Sequence, residues 1–231
     1  MDTNHVAVAA RAEGARYALL RRLAPAMRHH LVVNLQPIGM IYEVLERRLQ
    51  SPTPDLRQVR DSAVRINGFT RAAVRSCLDV ITWLSPEEGA TSTIAEGVDE
   101  CLGLLNGNLN FRGFTITNDV PGEGSAAGDT VARSAIRSVL TAALLACTDA
   151  VAEPADLVLA AWVSGDRLVV SIELTGAPGR SSFSNEAPYR LLRWDDVLAI
   201  SEAEGALVTH SHERVELSFA RVTPTVPLTT D

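Results

Sequence analysis

Residues 20–48 read LRRLAPAMRHHLVVNLQPIGMIYEVLERR, and within them Leu20, Ala24, Met27, Leu31, Asn34, Ile38, Ile41 and Leu45 recur in steps of four and three. That beat puts all eight on one stripe of an α-helix, the pattern of a coiled-coil seam, and predicts a helix from about Glu13 to Arg48. Gln50-Ser51-Pro52-Thr53-Pro54 ends it, because proline cannot continue a helix and pushes its predecessor out of helical geometry. A second run follows, Leu56, Val59, Ala63, Ile66, Thr70, Ala73, Cys77, Val80 and Leu84, again in three-four alternation, with Asp55 at its start where an acid suits the helix dipole. Two long helices joined by a short turn make an antiparallel hairpin. One hairpin leaves an apolar face uncovered, so a second copy is expected to cover it, giving a homodimeric four-helix bundle over residues 1–85.

Beyond Ser85-Pro86-Glu87-Glu88-Gly89 the texture changes. Helices are expected at about Ile94–Leu109, Ala132–Val151 and Tyr189–Glu204. Strands are expected at Phe114–Asn118, Leu157–Val163, Arg167–Leu174, Ala206–Thr209 and Arg214–Ala220, with a tight hairpin turn at Ser164-Gly165-Asp166. The order α-β-α-β-β-α-β-β over residues 90–222 predicts an α/β sandwich, so the whole chain is α+β. Residues 223–231, rich in Pro and Thr, are expected to be a disordered tail.

Composition excludes several classes. The chain of 231 residues carries a formal charge of -7, against general nucleic-acid binding. All basic residues are arginine; 12 of them lie in residues 1–85 against 7 acids, a balance of +5 that leaves -12 for the remainder. Such a basic segment suits either the acidic half of the same chain or an acidic partner. Cys77, Cys101 and Cys147 are an odd number, far apart within apolar patterns, and read as small buried hydrophobes in a reducing compartment. No apolar run reaches the roughly 18 residues of a membrane span and no signal sequence is evident, which predicts a cytoplasmic protein without membrane contact.

His29 and His30 sit in the middle of the first helix. At about 100° per residue His29 stands about 160° from Leu31 and points to solvent, whereas His30, about 100° off, flanks the seam. An exposed neutral imidazole can act as a nucleophile and form a covalent intermediate. His29-His30-Leu31-Val32-Val33-Asn34-Leu35-Gln36 resembles the phosphoacceptor box of a class of sensor histidine kinases, approximately H-x-(V/L)-x-N-N-L-Q. His29, Leu31, Asn34, Leu35 and Gln36 match it; Val33 stands where the pattern has its first Asn, and Pro37 lies further from the histidine than the kinking proline of many such kinases. The hairpin followed by an α/β unit has the order of such kinases over about residues 14–221, so the resemblance implies a histidine-kinase-like ATP-binding domain in the second part.

That domain looks degenerate. Against the family's Asn-bearing helix, Val139–Ala150 places Ala142 and Ala146 at the two Asn positions, and a methyl group cannot coordinate magnesium. The family's Asp-x-Gly-x-Gly becomes Leu174-Thr175-Gly176-Ala177-Pro178-Gly179, leaving the adenine-reading carboxylate missing or displaced to Glu173, and Trp194-Asp195-Asp196-Val197 replaces a glycine-rich lid. The resemblance therefore implies no nucleotide, cofactor or metal site in this chain. It implies a histidine phosphotransferase in which His29, less so His30, relays a phosphoryl group between aspartates of response-regulator receiver domains, the receiver bringing its own magnesium. The alternatives are a pseudokinase scaffold that binds regulators without transfer, or a regulatory binding protein on the same fold.

Val33, Gln36, Met40, Val44 and Arg47 project within about 60° of His29, a partly apolar stripe where a receiver would dock, and Arg28 could balance phosphate charge. The other expected occupant of that stripe is the chain's own second domain. His210-Ser211-His212 reads as a surface turn, and Asp195-Asp196 as acids serving a helix dipole.

Overall fold

The computed structural model describes residues 3–122, 129–180 and 189–222. The chain divides into two compact units: residues 24–86, and residues 1–23 together with 87–231.

The first unit is the hairpin. Helix α1 (Thr3–Leu49) begins ten residues before the sequence pattern predicts and runs through Pro25 and Pro37; helix α2 (Leu56–Leu84) starts at Asp55, whose carboxylate accepts from the backbone N–H groups of Arg57 and Gln58. Within this unit Met27, Leu31, Asn34, Ile38, Ile41 and Leu45 are among the less exposed positions of α1, as the periodicity requires, whereas Ala24, also expected in the seam, is exposed. On α2 the inward positions are Val59, Ser62, Ile66, Phe69, Ala73, Ser76, Val80 and Trp83. Leu56, Ala63, Thr70, Cys77 and Leu84, expected in the seam, are exposed in the single chain, so Cys77 is not a buried hydrophobe there. The cause is that the two polar side chains Ser62 and Ser76 face α1: Asn34 Nδ2 donates to Ser76 Oγ at 2.8 Å, and Arg48 donates to Ser62 Oγ at 2.8 Å. Both pairs belong to one register, in which each step along α1 is one step back along α2. A polar pair within an apolar seam specifies register, because any slip leaves its donors unpaired.

The second unit has a five-stranded sheet with strand order β2-β4-β5-β7-β6, from β2 (Thr115–Asn118), β4 (Ala155–Ser164), β5 (Arg167–Gly176), β6 (Leu207–His210) and β7 (Arg214–Ala220). Only the β2–β4 pair is parallel. Ser164 pairs with Arg167 across Gly165, whose φ of +63° suits the expected hairpin turn. Leu157 and Leu159, Leu168, Val170 and Ile172, and Val215, Leu217 and Phe219 alternate into the core. Helices α3 (Ile94–Phe111), α4 (Arg133–Ala150) and α5 (Trp194–Ala203) complete the sandwich, α4 packing against both others. Helix α5 begins five residues later than the expected Tyr189. A two-stranded ladder of β1 (Thr91–Thr93) and β3 (Thr130–Ala132) was not legible in sequence, because three-residue strands carry no alternation to detect. The tail expected at 223–231 lies outside the described residues.

Candidate functional site

Every residue singled out around the histidine pair is solvent-exposed on α1: Arg28, His29, His30, Val33, Gln36, Met40, Val44 and Arg47. Met40 retains 63% of its surface, and Val33 and Val44 keep 51% and 42%. The hydrophobic cost of leaving three such side chains in water is on the order of several kcal/mol, which an occupant of that stripe would recover. Asn34 sits one helical turn from His30 and donates to its backbone carbonyl at 3.2 Å as well as to Ser76, so the polar pin of the hairpin lies about one turn beyond the histidine pair on the same helix. Sequence reading assigned Asn34 to the seam and to the motif; its partner Ser76 was missed because a serine within an apolar heptad gives no periodic signal.

In the α/β unit Ala142 and Ala146 are fully buried on a helix that is enclosed nearly all round. Thr141 beside them is fully buried, its hydroxyl facing the Cys101 thiol. The carboxylate of Glu173 is held by Arg214, its cross-strand neighbour, at 2.8 Å. Asp196 accepts from Arg190 through both oxygens and from the backbone N–H of Arg193 at the start of α5, and these bonds hold it below the usual carboxylate range. Its work is structural, as the helix-start reading expects. His210 lies on β6 and stacks on Trp194 with ring centroids 4.0 Å apart, while Ser211 closes the turn by accepting from Glu213 and Arg214. Among the described residues no group of His, Cys, Asp and Glu is placed to hold a metal ion.

A buried charge cluster was not foreseen. Asp149, at the end of α4, accepts from Arg22 at 2.5 and 3.0 Å, pairs with Arg112 at 3.1 Å and accepts from the backbone N–H of Leu192. Arg112 also donates to the Thr148 carbonyl at 2.8 Å, capping the end of α4. These residues are far apart in sequence, and only the fold brings them together.

No family model and no curated protein matches the chain. Solved structures that resemble it include the histidine kinase AdeS of Acinetobacter baumannii, at 14% identity over 81% of this chain and 98% of that one, with a TM-score of 0.43. A bacterial phosphotransferase matches at 14% identity over 87% and 94%, with a TM-score of 0.38. The histidine kinase ThkA, solved in complex with the response regulator TrrA, matches at 18% identity over 93% of this chain and 64% of that one, with a TM-score of 0.42. No helix among the described residues is long and apolar enough to cross a membrane.

Proposed function

We propose that the chain is a homodimeric histidine phosphotransferase of a two-component phosphorelay, acting through His29 without binding ATP. The observation that carries this reading is an exposed imidazole in the matched box, beside an exposed apolar stripe on the same helix face. In the transfer step an imidazole nitrogen of His29 attacks the phosphorus of a receiver's aspartyl phosphate. The N–P bond forms as the acyl O–P bond breaks, the aspartate leaves as carboxylate, and the imidazole proton passes to solvent. The same steps in reverse deliver the phosphoryl group to a second receiver. Magnesium and the acidic pocket belong to the receiver; this chain contributes the nucleophile, the stripe and Arg28 as a positive charge near the phosphoryl group.

The α/β unit is assigned to binding rather than to phosphorylation. Buried methyl groups at 142 and 146, and a Glu173 already paired with Arg214, support that assignment. The test is incubation of the full chain with labelled, phosphorylated receiver domains from its host. Label on the wild type and on His30→Ala, and none on His29→Ala, is expected. Label on neither histidine would leave the scaffold reading, and labelling from ATP alone would overturn the assignment of the second unit.

A further inference from the structure

Where the β1–β3 ladder meets the first turns of α3 and α4, a cavity of 430 Å³ is lined by Thr91, Ser92, Glu96, Asp99, Glu100 and Arg133. Strand alternation turns Ser92 inward: it stands opposite Val131 on β3 and keeps 5% of its surface, while Thr91 beside it is exposed. The Ser92 hydroxyl nonetheless has no hydrogen-bond partner among the described residues. A buried hydroxyl left unpaired is costly, and alanine would fill the position without that cost, so packing gives no reason for a serine here. The carboxylates of the cavity differ in how far they are satisfied. Glu100 is held by Arg133 and Arg137. Glu96 is engaged through one oxygen, by Thr93 at 3.0 Å in the capping box of α3, and Asp99 through one oxygen, by Asn118 at 3.1 Å. Their second oxygens are free among the described residues, and at three positions apart on α3 the two side chains are neighbours on its surface.

We propose that this cavity binds a guanidinium group, carried by a small guanidine or by an arginine side chain of a partner. Ionised carboxylates only accept hydrogen bonds, so the occupant of a cavity with two half-free carboxylates and an unpaired hydroxyl has to bring donors. It also has to bring positive charge, because three carboxylates line the cavity against the one guanidinium of Arg133. A metal ion does not suit the arrangement, since among the described residues no group of His, Cys, Asp and Glu is placed to hold one. A guanidinium spreads its charge over a planar fork of five N–H donors and so can serve acceptors that stand apart, whereas an ammonium concentrates its charge at one point. Asp99 and Glu96 hold the charge through their free oxygens, and Ser92 accepts one further N–H. The balance of -12 over residues 86–231 draws cations to this part of the chain. The site uses none of the residues assigned to phosphotransfer.

The test is calorimetric titration of the full chain with two guanidinium probes, agmatine and acetyl-Gly-Arg-Gly-amide, each against an amine of equal charge, cadaverine and acetyl-Gly-Lys-Gly-amide. At least one guanidinium probe should bind saturably at one site per chain, about tenfold more tightly than its amine counterpart. Tighter binding of agmatine would make the natural ligand a free guanidine; tighter binding of the peptide would make it a partner's arginine. Asp99→Asn and Ser92→Ala should each weaken the probe by about tenfold, as should Glu96→Gln, which keeps the capping box. Ser92→Ala should also leave unchanged or raise the thermal midpoint of the free chain, because it removes a hydroxyl that has no partner there. A lowered midpoint would make that serine structural and overturn its assignment to a ligand. No saturable binding of either guanidinium probe at millimolar concentration, equal binding of the amines, or unchanged affinity in Asp99→Asn and Ser92→Ala would overturn the proposal.

Discussion

Arg22 grips Asp149 through both carboxylate oxygens across 127 positions of sequence, with the two side chains only 5% and 2% exposed. Arg112 completes a buried Arg-Asp-Arg cluster, and Arg16 adds a second tie to Glu204, whose other oxygen accepts from Ser134. With buried Ala12, Ala15, Ala18, Leu19 and Leu23 between these ties, the first 23 residues fold with the α/β unit even though they continue into the helix that bears His29. Alanines at three-residue spacing allow close backbone approach, and the arginines then fix where that contact sits.

Removing the acid should be severe. Asp149→Ala leaves two largely buried guanidinium groups facing each other without a counter-charge, a change that typically costs about 3 to 5 kcal/mol. Urea unfolding of the variant should show an unfolding free energy lower by that amount. A loss under about 1 kcal/mol would mean that the cluster is solvated in solution.

A second packing test concerns Gly97 on α3. A β-carbon there would meet Ile136 Cδ1 and Cγ2 at 2.7 Å. Alanine is the better helix former by up to about 1 kcal/mol, but overpacking of this kind costs roughly 1 to 3 kcal/mol. Gly97→Ala should therefore lower the thermal midpoint, and adding Ile136→Val should recover part of the loss. A raised midpoint in Gly97→Ala alone would show that the α3–α4 contact has room to spare.

Much of this architecture was legible in the order of residues, and the reasons are physical. The heptads of α1, the proline break at 52–54 and the Ser164-Gly165-Asp166 turn are local signals, and each produced the element expected of it. The α2 face was read one position off because the series that meets α1 there is Ser62, Phe69 and Ser76, whose two serines give no apolar signal, while Ala63 and Cys77 beside it keep the apolar spacing. Ser62 and Ser76 settle that choice through hydrogen bonds that exist only once Arg48 and Asn34 arrive. The Asp149 cluster was invisible for the same reason: its parts are ordinary surface residues until the chain folds. At the candidate site the exposure of His29 followed from helix geometry, whereas its chemical role came from a matched motif.

Acid should weaken the fold at Glu100. Burial pushes its carboxyl up, but hydrogen bonds from Arg133 and Arg137, with their charges, outweigh this and hold it below the ordinary glutamate value. A carboxyl depressed in the folded state contributes stability fully above its unfolded value of about 4.3, and loses it as pH falls through the lower folded value. Unfolding curves taken between about pH 6 and pH 3 should show wild-type stability falling with acid, and a shallower fall in Glu100→Gln. Parallel slopes would remove Glu100 from the acid response.

The cysteines give a direct reading of the two units. Burial pushes the Cys101 and Cys147 thiols up to about 12, which makes both inert to thiol reagents in the folded chain. Cys77 is exposed in the single chain and lies on α2 next to the α1-facing Ser76, on a flank that the proposed homodimer would cover. Native protein should react at one thiol per chain, denatured protein at three, and the Cys77 rate should drop as concentration drives dimer formation. A rate independent of concentration through the dimerisation range would place Cys77 outside the interface.

The stripe beside His29 offers the sharpest functional test, because it separates docking from chemistry. Met40 and Val44 lie about three and four turns beyond His29, too far to touch a phosphoryl group on the imidazole, since each turn advances about 5.4 Å. A carboxylate at either position would face water in the free chain, so the fold has little reason to change. In a docked complex it would be desolvated against an apolar surface, a penalty of several kcal/mol without a partner charge. Met40→Glu and Val44→Glu should each slow phosphotransfer by 100-fold or more, by the relation that about 1.4 kcal/mol is tenfold in affinity. The loss should be in affinity for the receiver, with the dimer dissociation constant unchanged. If both variants transfer at the wild-type rate, the receiver approaches His29 from another direction.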